Sequence, residues 1–315
     1  MTRRPDEGRA RWRILFAAIV LSCAWQVSEP SARAPQRSRT VNVTVTDGKG
    51  GPVANLGPAD FELKEDGKTR AVLSAEPAQT PLSIAVLLND KGSDINEIRA
   101  ALATFVRRVE GRAELSVVTV VPSIVKVFDY TSSGAEMMAG VRRTVWRAGP
   151  PGGLILTAIA DAADELKRRE VRRPAIVVIT FEGDEFRSHR PAETILAALE
   201  RSGAVLHVVA VGTPTMRRMD RALVESGNAQ GDDWIIDQQN RNAVLGEGPR
   251  VSGGRRHEIT VATGLTNALN EVADDLVNQY RLVYDGASDI RASRKLSVSA
   301  KRRGITVRAP AKIAG

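Results

Sequence analysis

Aromatic residues make up only 4% of the 315-residue chain, which holds one cysteine and three histidines. A hydrophobic core must therefore be built from Val, Ile, Leu and Ala. A single thiol excludes a Cys-rich zinc site, an iron–sulfur cluster and a disulfide within the chain. No His-Glu-x-x-His helix and no Gly-x-Ser-x-Gly elbow occur, so metalloprotease and serine-hydrolase chemistry lack their signatures. No phosphate-cradling glycine pattern follows the first buried strand, which argues against a nucleotide site. Gly67-Lys68-Thr69 would need a glycine five residues before the Gly-Lys pair to make a phosphate loop, and Glu62 stands there. His207, within LHVVAV, reads as a hydrogen-bonded core residue. The acidic pairs Asp164-Glu165 and Asp274-Asp275 read as solvated helix faces.

What is present is ordinary for a soluble protein: 43% hydrophobic and 26% charged residues. The length suits one large domain with one or two small ones. The net charge of +8 is concentrated at the two ends. Eight arginines stand in the first 39 residues, and the last 25 carry eight Lys and Arg with no acid. A nucleic-acid face is set aside for this C-terminal stretch because it reads as a hairpin in an exported chain. An anionic envelope surface is a better match for it, and a plain solvated strand face better still.

Arg9, Arg11 and Arg13 precede the apolar run ILFAAIVLSCA, followed by polar, Pro-containing sequence. A charged start, a short apolar segment and small residues describe an export signal over residues 1–34. The run falls short of the roughly 20 apolar residues of a bilayer span. Cleavage fits after Ala24 or after Ala34, and lipidation of Cys23 is an alternative. The expected location is the periplasm, the cell envelope or the extracellular space.

Alternating Val and polar residues from Thr40, with turns at DGKGG and at Asp66-Gly67, predict a small β module over 38–79. Beyond Pro81 the texture becomes α/β. SIAVLL, the stretch from Ala175 to Phe181 and the stretch from Ala204 to Val211 read as strands buried on both faces. Ile124 to Tyr130 reads as a hairpin partner for the strand over Leu115 to Val121. Helical stripes cover Ile95 to Val109, Leu154 to Leu166, Ala192 to Leu199 and Leu265 to Leu276. The pattern predicts a Rossmann-like, doubly wound, mostly parallel sheet over 80–279. Residues 213–250, rich in Gly, Asn, Gln and Asp, read as a long irregular insertion. Strands return over 280–315.

Three stretches resemble the VWFA-related domain family, secreted bacterial proteins with a von Willebrand factor type A domain. VNVTVTDGKGGPVANLGPADFELKEDGK is similar to that family's opening strand and its D-x-x-G-x-P-V-x-x-L and D-F-x-x-x-E-D-G signatures. PLSIAVLLNDKGSD is similar to its first sheet strand and metal loop. NEVADDLVNQYRLVY with RKLSVSAKRRGITVRA is similar to its closing helix and strands. The resemblance implies a metal-ion-dependent adhesion site at the C-terminal edge of the sheet. Such a site has an Asp-x-Ser-x-Ser loop, a Thr and an Asp around Mg²⁺ or a similar hard cation.

Carried over residue by residue, that pattern is degraded. The first loop becomes Asn89-Asp90-Lys91-Gly92-Ser93, with only Ser93 kept. The Gly-Gly-Thr loop becomes Gly152-Gly153-Leu154, with Thr157 a turn later. The third loop reads Thr180-Phe181-Glu182-Gly183-Asp184. A lysine at about 4 Å from a cation costs on the order of 1 kcal/mol per charge pair even in water, and more when desolvated. No metal and no other cofactor is therefore expected. Lys91 takes the ion's place and pairs with Glu182 or Asp184, or it is a solvated loop lysine. A shifted register that uses Asp90, with Asp94, Glu182 or Asp184, would restore a Mg²⁺ site.

The resulting expectation is an exported, non-enzymatic adhesion- or scaffold-type protein that binds a protein ligand in the envelope or outside the cell. Its partner-binding loops are Asn89, Asp90, Lys91, Ser93 and Asp94, then Gly153 and Leu154, then Glu182 and Asp184. The rivals are a metal-dependent adhesion domain, a hydrolase with an unfamiliar site, and an A-type domain that merely braces the β elements.

Overall fold

The computed structural model describes residues 37–89, 94–121, 123–144, 154–181, 190–212, 232–287 and 293–314. Residues 1–34, expected to be an export signal, lie outside the described residues, and so does Cys23.

A six-stranded sheet lies at the centre, in the order β10-β9-β8-β5-β6-β7. Its strands are β5 (Leu82–Asn89), β6 (Ala113–Thr119), β7 (Val125–Thr131), β8 (Pro174–Phe181), β9 (Val205–Val211) and β10 (Arg256–Ile259). All pairings are parallel except that of β7, the antiparallel edge strand beside β6. This is the doubly wound 3-2-1-4-5-6 order with one edge strand reversed.

The unbroken apolar runs follow from burial on both faces. Along β5, Ile84, Val86 and Leu88 enter one core while Ala85 and Leu87 enter the other. The first core is closed by α1 (Ile95–Val109), α2 (Gly134–Arg143) and α7 (Leu265–Val277). The apolar stripes set these contacts: Ile98, Leu102, Phe105, Val106 and Val109 of α1 are buried, as are Leu265, Leu269, Val272 and Leu276 of α7. The second core is closed by α3 (Ile155–Arg168) and α4 (Ala192–Ser202). Each fully buried Leu, Ile or Val contributes roughly 1.5–3 kcal/mol.

Residues 232–252, expected to be irregular, are helical instead. They form α5 (Asp232–Arg241), a π-helical turn (Asn242–Glu247) and α6 (Gly248–Ser252). Tertiary contacts override the weak propensity of this polar stretch. Val244 and Leu245 are fully buried in the second core, and the Ala192 amide at the start of α4 donates to Asn240 Oδ1 at 3.0 Å. Residues 213–231 lie outside the described residues.

The chain's two β-rich stretches pair with each other. One sheet has the order β13-β1-β11-β4 and the other β14-β12-β2-β3. Here β1 is Arg37–Asp47, β2 Phe61–Glu65, β3 Lys68–Arg70 and β4 Val72–Pro77. The C-terminal strands are β11 (Tyr280–Gly286), β12 (Ser293–Ala300), β13 (Ile305–Arg308) and β14 (Lys312–Ala314). Both sheets thus mix strands from before and after the central sheet. Val41, Val43 and Val45 meet Phe61, Leu63, Tyr280, Leu282, Leu296 and Val298 in a third core.

The Glu65-Asp66-Gly67 signature has a local cause. β2 and β3 pair with Glu65 opposite Lys68, so Asp66 and Gly67 form a two-residue turn. Both have positive φ, 50° and 78°, as a type I′ hairpin requires. Glu65 itself is fully buried. It lies 3.8 Å from Arg39, 3.3 Å from Arg70 and 3.8 Å from Arg294, and it accepts from the Tyr284 hydroxyl and the Ala287 amide. Burial first, then the charge of Glu65, pushes the Tyr284 phenol well above its usual range, so it remains a donor. One carboxylate therefore ties together β1, β2, β3, β11 and β12.

Arg173, before β8, is the corresponding anchor between the central sheet and the β module. Its guanidinium donates to the carbonyls of Ala78, Thr80 and Leu276 and to Gln279 Oε1, at 2.7–3.1 Å. Burial pulls its pKa down to about 10, which leaves it charged near neutrality. The positive charge sits at the C-terminus of α7, where the helix dipole favours it.

Candidate functional site

The C-terminal ends of β5 and β8 meet in register, Asn89 opposite Thr180. Both side chains are fully buried, and Asn89 Nδ2 donates to Thr180 Oγ1 at 3.3 Å. The floor beneath the candidate loops is thus an amide–hydroxyl pair without formal charge. Phe181, the next residue along β8, is half-buried against the first core.

Asp94 and Leu154 flank this edge. Asp94 is half-buried at the N-cap of α1, where its carbonyl accepts from the Ile98 amide at 3.0 Å. Leu154 is half-buried at the N-cap of α3 and has no side-chain capping bond. An alkyl chain cannot accept from the orphan amides of a first helical turn, which a Thr at that position would do. One turn on, the buried hydroxyl oxygen of Thr157 has no hydrogen-bond partner among the described residues.

Of the expected site residues, Asn89, Asp94 and Leu154 are therefore placed by the structure. Asp90, Lys91, Ser93, Gly153, Glu182 and Asp184 lie outside the described residues, as do the pairings expected of Lys91. Among the three that are placed, Asp94 alone carries a carboxylate. Asn89 offers only an uncharged Oδ1 and Leu154 no side-chain oxygen at all, so the described part of this edge brings less negative charge than hard-dication sites usually gather.

Two expectations away from this edge are corrected. Asp275 is not on a solvated face: it is 4% exposed, because α7 turns that side toward β1, β9 and β13. His207 is a core residue, but neither ring nitrogen has a hydrogen-bond partner among the described residues. Parallel pairing of β9 and β10 sets His257 opposite Val209, which brings it onto the same sheet face as His207. Nothing in the sequence spacing of these two histidines marks the meeting. Burial holds the His207 imidazole well below its usual range and that of His257 at about 4, with the nearby Arg255 and Arg308 adding to both shifts.

At the C-terminal basic stretch, Arg294 is 2% exposed and paired with Glu65 and Asp66, and Arg308 pairs with Asp275 at 2.6 Å. Lys295, Lys301, Arg302, Arg303 and Lys312 are exposed. Among the described residues no helix is long and apolar enough to cross a membrane.

No family model matches the chain, and no curated protein does. Among solved structures it is similar to proximal thread matrix protein 1 from the mussel byssus, at 14% identity and a TM-score of 0.44, covering 76% of this chain. The chain spans 50% of that protein's length. It is also similar to an aerotolerance-related membrane protein from Bacteroides fragilis, at 16% identity and a TM-score of 0.41, covering 61% of this chain and 98% of that one. The conserved hypothetical protein BatB from Bacteroides thetaiotaomicron is similar at 12% identity and a TM-score of 0.40, over 62% and 98% of the two chains. Strand order, the reversed edge strand and the two helical layers make the fold of this chain Rossmann-like and doubly wound.

Proposed function

We propose that this chain is an exported, non-enzymatic binding protein of adhesion or scaffold type that grips a protein ligand without a metal ion. The grip comes from the loops at the C-terminal edge of the central sheet, where doubly wound folds bind ligands. Asn89, Asp90, Lys91, Ser93 and Asp94 supply one loop, Gly153 and Leu154 a second, and Glu182 and Asp184 a third. The observation that carries this reading is the buried Asn89–Thr180 pair, which puts an uncharged floor where a metal-dependent site needs its first carboxylate. Leu154 supports it by replacing a hydroxyl donor with an alkyl chain. The partner belongs to the cell envelope or the extracellular space, and the exposed C-terminal lysines and arginines give a secondary contact with an anionic envelope surface.

The test is capture of envelope protein by the full chain in Mg²⁺ and in EDTA, beside a Lys91→Asp variant. Capture by the wild-type chain is expected to be equal in the two buffers and weakened by Lys91→Asp. Loss of capture in EDTA, or micromolar Mg²⁺ binding in calorimetry abolished by Ser93→Ala, refutes the metal-free reading.

A further inference from the structure

We propose that His207, His257 and Asp275 form a binding site for a divalent transition-metal ion of the zinc class, at the seam between the central sheet and the β module. Each residue presents one ligand atom, and these atoms lie within 4.8 Å of one another. All three side chains are buried: His207 is 0% and Asp275 4% exposed, and the His257 side chain is 9% exposed. The set is two imidazoles and one carboxylate, which zinc accepts in tetrahedral sites with water as the fourth ligand.

His207 points to a ligand independently of the clustering. A buried imidazole normally has its nitrogens bonded, since an orphaned polar group there keeps its full desolvation penalty. His207 is fully buried, and both its nitrogens lack a partner among the described residues. Asp275 shows the same asymmetry. Its Oδ1 is taken by Arg308 at 2.6 Å, whereas among the described residues Oδ2 makes no hydrogen bond and faces Arg255 Nε at 3.9 Å.

The neighbours have the form of an outer shell. Glu271, one turn before Asp275 on α7, has Oε2 3.6 Å from His257 Nδ1. A carboxylate behind a ligating imidazole orients the ring and raises its basicity. His257 Nε2 accepts from Arg255 Nε at 3.1 Å, and Arg255 Nη2 lies 3.5 Å from Nδ1, so the lone pair that would bind a metal is occupied by a guanidinium. Arg255 also contacts Glu271 and is 27% exposed, which gives it a path to solvent. Metal loading thus exchanges one cation for another at His257 Nε2, while Arg308 stays on the outer oxygen of Asp275. Arg308 belongs to β13, and Thr44 of β1 donates to the Asp275 carbonyl at 3.4 Å, so the ion would pin the β module to α7 and β9. This edge is the one where β9 begins, opposite the partner-binding loops.

The experiment titrates Co²⁺ into the metal-stripped full chain, reads the visible d–d bands, and displaces the ion with Zn²⁺. Intense tetrahedral-type bands from one ion per chain are expected. His257→Gln should weaken Co²⁺ binding by at least about tenfold. Arg255→Gln should tighten it by removing the competing guanidinium, a gain that misfolding would not produce. Absence of the bands at millimolar Co²⁺ overturns the proposal. So does binding unchanged by His257→Gln, weakened by Arg255→Gln, or abolished by Ser93→Ala.

Discussion

Glu65→Gln is a near-isosteric change that isolates the charge at the centre of the β module. The amide keeps one acceptor oxygen for the Ala287 amide, and the Tyr284 hydroxyl can turn to accept from the new NH2, so no cavity opens. What is lost is the counter-charge to three guanidiniums. Arg39 and Arg70 have side chains 14% and 24% exposed and can take up water. Arg294, at 2% exposure, cannot, though it keeps its contact with Asp66 at 3.2 Å. Removing one partner of a buried ion pair costs about 3–5 kcal/mol, and the residual Asp66 contact places this case near 3 kcal/mol. Urea denaturation followed by far-UV circular dichroism should show a lower midpoint with an unchanged slope. A Glu62→Gln control on the exposed side of β2 should shift stability by under about 0.5 kcal/mol. A loss below about 1 kcal/mol in Glu65→Gln would refute the view that this carboxylate holds the two sheets together.

Arg173→Met keeps the volume but strips four acceptors of their donor, and should cost about 3 kcal/mol in urea denaturation. A loss within about 0.5 kcal/mol would contradict its anchoring role. At Gly254 a Cβ would fall 2.0 Å from the Leu206 carbonyl oxygen, so Gly254→Ala must push β10 off β9. It should lower stability by about 2–3 kcal/mol, whereas Gly48→Ala, with open space around it, should be near neutral. For the metal-free protein, the folded pKa of His257 lies below its unfolded value of 6.5, so the unfolded chain binds the proton more tightly. Stability should therefore fall as pH drops from about 6.5 to 4, by about 3 kcal/mol from this residue alone. Urea midpoints at pH 7 and pH 4.5 measure the fall, and an equally steep profile in His257→Gln would count against the assignment.

Much of the fold was legible because its causes are local. The runs of β5, β8 and β9, the stripes of α1 and α7, and the Asp66-Gly67 turn follow from side-chain periodicity and backbone preference within a few residues. The uncharged floor at Asn89 was readable in the same way, as an amide standing where a carboxylate would be needed. The helical character of 232–252 was not readable, since it depends on Val244 and Leu245 finding the second core and on Asn240 reaching α4.

Residue type and short-range pattern alone decided the alternation of strands and helices, which faces are apolar, and where the hairpins turn. Only the tertiary structure decided that strands from the two β-rich stretches share two sheets, that Glu65 gathers arginines from β1, β3 and β12, and that His207, His257 and Asp275 converge. Local periodicity reports how a segment buries its own surface. Which distant charge or imidazole shares that burial depends on strand order and crossover, and these emerge when the layers close.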